Sequence, residues 1–354
     1  MRSTTALQGL SDSGIYVASD TAEYHQIPEF RIDLSDATTN PSLVLAAVTK
    51  QPYAHITEEA VNHELNKHPE ASPKEIAGYA MDRVLAQVGA NISRIVPGRV
   101  SVSVDPRLAY DTPAMIRKGE TLAALLESLG IPRNRILIKI PATYEGILAA
   151  ETLEHPDREQ QPIHTNMTLI FGRVQAIACA QAGVSVISPF IGRVKDWWDS
   201  QGESSSKEIS QHPGILLVRN IRSTYSALGY STQIMAAGFR TVEEIVELGK
   251  HGVAGGPDLV TLPPHLLSGL RSRNVVDPVV EFHPVSVDMD ATTTYFGSSN
   301  AHDPSLYARD ILEEKIAAVK VAEGLAKFSA DAQILEDVLR QKVMDLGTGA
   351  SALL

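Results

Sequence analysis

Lys139 lies in the middle of an apolar run, ILIKIP over 136–141, which is typical of a buried strand. Lysine is among the residues least often buried, and an unpaired buried ammonium is expensive. Because burial disfavours the charged form, this amine should be a better nucleophile near neutral pH than a surface lysine. A desolvated lysine of this kind forms Schiff bases with carbonyl compounds. A lone lysine in a strand is more often salt-bridged or extended toward solvent. Whether Lys139 is catalytic therefore has to be judged from the residues around it.

Polar residues at every second position mark the ends of other predicted strands. Successive side chains of a strand point to opposite faces, so a buried core would place apolar residues at these positions. One such residue alone would more often cap a helix or form a turn, but polar ends on six or more strands favour a common site. Two arginines near the ends of the sixth and seventh strands suit a phosphate group. The candidates are Asp20, Asp36, Thr38, Asn40, His164, Asn166, Thr168, Ser188, Arg193 and Arg240.

Strand and helix patterns alternate along the chain, which predicts parallel βα units. Eight strands are predicted, over 15–20, 31–39, 98–105, 135–143, 162–170, 184–192, 232–239 and 258–264. Helices are predicted over 72–96, 112–130, 171–183 and 241–252. Eight strands close a (β/α)₈ barrel. A doubly wound open sheet is the alternative, but it usually carries a Gly-rich phosphate turn, and no GxGxxG or GxxxxGK[ST] occurs.

The predicted fold is therefore an α/β protein, a (β/α)₈ TIM barrel in one domain over 1–354. The barrel occupies about residues 12–280, and the segment 303–346 is predicted to form one or two additional C-terminal helices over it. In such barrels the carboxyl ends of the strands carry the chemistry, and Lys139 is near that end of the fourth strand.

Composition excludes several classes of function. The 354 residues include 42 acidic and 31 basic residues, a net charge of -11, so we expect no nucleic-acid partner. The single cysteine, Cys179, has no partner for an intrachain disulfide, and a Cys/His zinc site would lack ligands. No apolar run approaches the length of a membrane span, and no signal pattern begins the chain. We expect a cytoplasmic protein with no metal and no membrane partner.

Several long motifs resemble those of the transaldolase family. They are DATTNPSL, RILIKIPATYEGI, NMTLIFGRVQAIACAQAGVSVISPFIGRVKDWW and MAAGFR, and the resemblance extends in order from about residue 10 to 345. It implies a Schiff-base-forming, metal-free transaldolase on a (β/α)₈ barrel, without a cofactor. Its partners would be a small carbonyl compound or sugar phosphate. A homodimer is one assembly compatible with the sequence.

The resemblance assigns roles to individual residues. Lys139 matches the Schiff-base lysine, Asp20 the acid/base aspartate, and Thr168 the threonine that holds a catalytic water. The residues that match substrate-contacting positions are Asn40, Asn166, Ser188, Phe190 beside the lysine, and the phosphate-binding Arg193 and Arg240.

Three departures from the family pattern bear on this chemistry. Ser103 replaces the glutamate that shares the catalytic water, and strand alternation should point it into the barrel with Ser101 and Asp105. A serine cannot accept a proton at neutral pH. Gly238 replaces a serine that helps to bind phosphate, and Gly172–Arg173 replaces Ser-Phe.

The leading function is transfer of a dihydroxyacetone unit from sedoheptulose 7-phosphate to glyceraldehyde 3-phosphate, giving erythrose 4-phosphate and fructose 6-phosphate, a step of the pentose phosphate pathway. The alternative is the same scaffold redirected to a lysine-dependent aldol-type or amine–aldehyde, Pictet–Spengler-like condensation. A third class is an inactive relative that serves as a binding partner. Intact Lys139 argues against the last, because such a protein needs no costly buried amine.

Overall fold

Eight parallel strands form a closed barrel in the computed structural model of the chain, each strand paired with the next and the last with the first. The structure describes residues 5–30, 33–156, 161–202, 208–274, 280–284, 293–297 and 301–351. The strands are β1 (Tyr16–Asp20), β2 (Asp36–Thr38), β3 (Val100–Ser103), β4 (Ile136–Pro141), β5 (Thr165–Ile170), β6 (Val186–Pro189), β7 (Gln233–Ala236) and β8 (Leu259–Leu262). The predicted (β/α)₈ barrel is confirmed, and the open sheet is excluded.

Every strand is shorter than predicted: all eight begin later, and six also end earlier. At several of these earlier ends, the residues after the strand begin a helix instead. Asn40, which follows β2, and Thr143, which follows β4, each accept a backbone N–H of the next helix as its N-cap. The strand predicted over 31–39 also included residues 31 and 32, which lie outside the described part of the chain.

Helices surround the barrel and include the four that were predicted. Their bounds are α1 (Ala6–Asp12), α2 (Pro41–Val48), α3 (Ala54–Lys67), α4 (Pro73–Ser93), α5 (Thr112–Ser128), α6 (Tyr144–Glu154), α7 (Arg173–Gln181), α8 (Ile191–Ser200), α9 (Pro213–Leu228), α10 (Val242–Gly249), α11 (Gly252–Gly255), α12 (Pro264–Ser272), α13 (Pro304–Glu314) and α14 (Ile316–Ser351). Among helices of the described residues, none is both long and apolar enough to cross a membrane.

The C-terminal segment forms two helices, separated at Lys315, whose φ is 59°. The longer one, α14, packs on α2 and α4 and also reaches β5 and α8 at the carboxyl ends of the strands. Its Gly324 allows a close approach, since a Cβ there would lie 2.7 Å from the Leu169 side chain. This arrangement places α14 beside the barrel end that was predicted to carry the chemistry.

The inside of the barrel is layered. Ala18, Leu137, Val186, Met235 and Leu259 form an apolar cluster inside it, all fully or almost fully buried. Two residues further along three of these strands, on the same face, come Asp20, Lys139 and Ser188. The polar layer therefore rests on an apolar floor, which excludes water from one side of it.

Two of the polar residues predicted for the site lie at the opposite end of the barrel. Asp36 is the first residue of β2, where it accepts hydrogen bonds from Arg99 N (3.1 Å) and Arg99 Nε (3.1 Å). His164 precedes β5 and contacts Glu154. The prediction that these two face the active end was wrong, because period-two spacing identifies a face of a strand but not its end.

Glu154 ties β5 to β6 at this amino-terminal end. Its Oε1 accepts the N–H groups of Thr165 (2.7 Å) and Ser185 (2.8 Å), and its Oε2 lies 3.0 Å from His164 Nδ1. Burial raises the pKa of Glu154, but hydrogen bonds from His164, Thr165 and Ser185 outweigh it and hold the pKa below its ordinary value. The carboxylate is therefore structural.

Glu154→Ala should lower the free energy of unfolding by about 2–4 kcal/mol, because it leaves several buried donors without an acceptor. Denaturant unfolding measures this. The control is Glu127→Ala, which removes a surface pair with Arg133 (2.5 Å) and should cost less than about 1 kcal/mol. Equal losses for the two variants would contradict the structural role of Glu154.

The hydrogen bond to Glu154 raises the pKa of His164, against the effect of burial, so protonation of His164 stabilises the fold. This contribution is fully present below the ordinary pKa of 6.5 and is lost as pH rises through the higher folded-state pKa. The contribution of Glu154 to stability has the opposite pH dependence, because its pKa is lowered. It is lost only as the pH falls into the acid range. His164→Gln should therefore remove part of the decline in unfolding free energy above pH 6.5, measured by denaturation at several pH values. An unchanged decline would refute the assignment.

Candidate active site

Lys139 lies in the carboxyl half of β4 and is 5% exposed. Its Nζ is 3.4 Å from the carbonyl oxygen of Thr39, a long contact with a neutral acceptor. Burial lowers the pKa of Lys139, and the negative charge of Asp20 opposes this effect only in part. The expected buried, deprotonation-prone amine is thus present, and no carboxylate forms a salt bridge with it among the described residues.

One hydrogen-bonded chain on the β1–β2 side of the barrel orients Asp20. Thr38 Oγ1 donates to Asp20 Oδ1 at 2.7 Å and is itself 2.7 Å from Thr261 Oγ1. Because the Thr38 proton is used on Asp20, Thr261 is the donor in the second contact. The carboxylate is held as an acceptor on the same inner face as Lys139.

A second chain lies next to Lys139 on the other side. Asn166 is in register with Lys139 and is fully buried. Its Oδ1 accepts from Ser188 Oγ at 2.7 Å, and its Nδ2 donates to Ser101 Oγ at 3.1 Å. The amide orientation is therefore fixed by its neighbours, and the lysine stands between two sets of polar side chains.

Ser103 and Thr168 flank the lysine with hydroxyls. Ser103 is in register with Lys139 on β3 and 6% exposed, as alternation predicted. Asp105, expected on the same face, lies beyond the strand end and pairs with Arg107 (2.6 Å). Thr168 Oγ1 is buried and has no hydrogen-bond partner among the described residues. An unpaired buried hydroxyl is costly, so this one suits a water or substrate contact.

Asn40 serves first as a helix cap. Its Oδ1 accepts the N–H of Leu43 at 3.0 Å and begins α2. The amide NH₂ is not used in that cap and stays available for a substrate oxygen. Asn40 can therefore cap α2 and contact a substrate at the same time.

The two arginines lie together beyond β6 and β7. Arg193 is stacked between Phe190 (5.5 Å to the ring centroid) and Phe328 of α14 (5.8 Å). Burial lowers the pKa of Arg193, and the positive charge of Arg240 lowers it further. Arg240 is half-exposed and pairs with Asp196 at 2.8 Å. Two guanidinium groups that repel one another favour an anion between them.

The departures from the family pattern have structural consequences. Gly238 has a φ of +71°, a left-handed conformation that disfavours other residues, and a Cβ there would lie 3.2 Å from Phe190. At Gly172 a Cβ would overlap the carboxylate of Glu314, which accepts the Arg173 N–H at 2.6 Å. Glu314 therefore caps α7 from outside the helix, where a residue-172 side chain would cap it from within.

Sequence reasoning did not single out Thr261 as a site residue. A lone threonine in an apolar strand gives little signal, and only the closure of β8 against β1 brings it to Thr38. The aromatic wall of Phe328 on α14 was missed for the same reason, since its contact is distant in sequence. Among the described residues, no group of three His, Cys, Asp or Glu side chains could hold a metal ion.

Comparison with known proteins agrees with this geometry. A family model described as Transaldolase/Fructose-6-phosphate aldolase matches residues 17–339. The Transaldolase of Saccharomyces cerevisiae is 40% identical over 338 residues, which cover 96% of this chain and 95% of that protein. Those of Gibberella intermedia (96% and 99% covered) and Kluyveromyces lactis (96% and 96% covered) are each 38% identical. The chain belongs to the transaldolase/fructose-6-phosphate aldolase family.

Proposed function

We propose that this enzyme, a transaldolase that transfers a dihydroxyacetone unit, works through an iminium on Lys139. The observation that carries the proposal is a buried lysine amine between two hydrogen-bonded polar chains, with the negative charge of Asp20 acting on it. The donor and acceptor that we propose are sedoheptulose 7-phosphate and glyceraldehyde 3-phosphate. The redirected condensation is not favoured, because the relatives named Transaldolase match almost the whole chain at 38–40% identity.

The proposed reaction begins when the neutral Lys139 amine adds to the ketose carbonyl, and uptake of one proton lets the carbinolamine hydroxyl leave as water, which gives the positive iminium. The positive iminium then takes up the electron pair of the breaking carbon–carbon bond, while a base removes the proton of the hydroxyl on the departing aldose half. Asp20 is the base that we propose for this proton transfer. The resulting enamine stays on Lys139 and attacks the second aldehyde, and hydrolysis of the new iminium releases the product.

The remaining side chains have proposed roles in binding. Asn40, Asn166 and Ser188 contact hydroxyls of the dihydroxyacetone unit, and Phe190 borders the lysine. Thr168 holds the water for proton transfer, with Ser103 beside the lysine. Arg193 and Arg240 hold the phosphate, and Asp196 must release Arg240 for this.

The remaining proposals concern the whole chain. We propose one domain, because α14 packs on the barrel helices and reaches β5. We also propose a cytoplasmic location, where sugar phosphates of this class are metabolised. A homodimer is the assembly that we propose to test, by sedimentation.

Borohydride reduction in the presence of dihydroxyacetone should add the mass of the reduced adduct to Lys139, measured by peptide mass spectrometry. Lys139→Arg keeps the charge but has no free primary amine, so labelling should disappear. Asp20→Asn is the matched control: it should still be labelled, since it keeps the amine, but turnover should fall by about 10²–10⁴-fold. Labelling that persists in Lys139→Arg would overturn the mechanism.

Ser103→Glu should have two opposing effects. A carboxylate next to Lys139 favours the ammonium, so the pH at which labelling is half-maximal should rise. Above that pH the added acid/base group should increase sugar-phosphate turnover, by up to about 10²-fold.

Ser103→Gln is the control for size without charge, and it should leave the labelling profile where it is in the wild type. If Glu and Gln shift the profile equally, or neither variant changes labelling or turnover, residue 103 does not influence the lysine.

A further inference from the structure

The first turn of α8, which carries Arg193, and the segment after β7, which carries Arg240, are bound to each other. Ile191 N donates to Ala237 O at 2.8 Å, and Gly192 N donates to Gly238 O at 3.2 Å. A Cβ at Gly192 would lie only 2.7 Å from Gly238 O. The backbones leaving β6 and β7 are therefore in direct contact, so the spacing of the two arginines depends on what holds this junction from behind.

The start of α9 packs against the same junction. Gly214, the second residue of α9, lies so close to Ile191 that a Cβ there would overlap the Ile191 backbone. His212 is the N-cap of α9, and its Nδ1 accepts the N–H groups of Gly214 (3.1 Å) and Ile215 (3.4 Å). The helix thus begins directly against the turn that leads to Arg193.

The capping contact fixes the tautomer of His212. Because Nδ1 accepts two N–H groups, the proton of the neutral ring is on Nε2. That atom is buried and lies 3.2 Å from Glu244 Oε1. Nε2 makes no regular hydrogen bond with the described residues, so the contact with Glu244 is electrostatic. No other partner for Nε2 is present among the described residues.

Glu244 carries the connection to Arg240. Its Oε2 accepts the backbone N–H of Arg240 at 2.7 Å and that of Thr241 at 3.4 Å. Burial raises the pKa of Glu244, but the contacts with His212 and these N–H groups outweigh it and lower the pKa. Glu244 therefore stays ionised, and it holds the backbone at the residue whose side chain binds the proposed phosphate.

We propose that His212 is a positioning residue for phosphate recognition, acting through Gly214 on the Arg193 turn and through Glu244 on the Arg240 backbone. It touches neither the substrate nor Lys139 in this proposal. The inference rests on the proposed function for the identity of the phosphate-bearing substrate, but its structural part concerns only the two arginines. A purely stabilising cap would affect unfolding and leave phosphate affinity unchanged.

The variant that separates these cases is His212→Asn. Asparagine is a good N-cap, so its side-chain oxygen can still accept the N–H groups at the start of α9. Its shorter side chain does not reach Glu244, so the junction loses the contact on the Arg240 side. Misplacement by about 1 Å can cost ~10²-fold in a positioned site, and we expect about a tenfold effect from this partial loss.

The first measurement is titration with inorganic phosphate, which needs no reaction. His212→Asn should raise the dissociation constant about tenfold, and KM for the phosphorylated acceptor should rise similarly while kcat changes little. Ser72→Ala, which removes the cap of α4 on another side of the barrel, is the matched control and should change only stability. Unchanged phosphate affinity in His212→Asn, or an equal change in Ser72→Ala, would overturn the inference.

The second measurement is borohydride trapping with dihydroxyacetone, which has no phosphate. His212→Asn should be labelled at Lys139 as the wild type is, because the lysine is untouched. Loss of labelling together with phosphate affinity would mean general disruption and would overturn the positioning role. If the wild type is not labelled either, while phosphate affinity still falls in His212→Asn, the proposed reaction fails and the positioning role stands.

Discussion

In the proposed reaction, the lysine at the centre of the barrel must lose its proton before it can react, and burial is the effect that lowers its pKa. An apolar floor lies below Lys139, and among the described residues the amine hydrogen-bonds only to the Thr39 carbonyl oxygen, at 3.4 Å. A carboxylate paired directly with the amine would hold the proton and prevent addition to a carbonyl. Asp20 is hydrogen-bonded to Thr38 and not paired with the amine, so it does not hold the lysine proton.

Polar residues at the carboxyl ends of the strands do two things at once. Asn40 caps α2 with its oxygen and keeps its amide nitrogen for other contacts. Asn166 is satisfied by serines on both sides and so cannot turn away from the lysine. Such sharing is economical in a barrel, because each strand end is also the start of a helix whose N–H groups need acceptors.

The region of the two arginines, where we propose that phosphate binds, combines charge repulsion with structural support. Burial and the positive charge of Arg240 lower the pKa of Arg193. Aromatic rings hold Arg193, and Asp196 holds Arg240. Two flexible side chains would separate without a rigid base. That base is the junction of the segments that follow β6 and β7. Backbone hydrogen bonds hold the junction together, and Gly192 allows the two backbones to approach closely.

The sequence by itself determined the eight strands, their parallel order, and the buried lysine, because period-two alternation and helix-period patterns are local signals. It also identified Ser103 as facing inward. It could not tell which end of the barrel Asp36 and His164 occupy, since alternation defines a face and not an end. Thr261 and the pairing of His212 with Glu244 depend on contacts between residues far apart in the chain. Only closure of the barrel and packing of its helices decide such contacts, because burial and distance are properties of the whole fold.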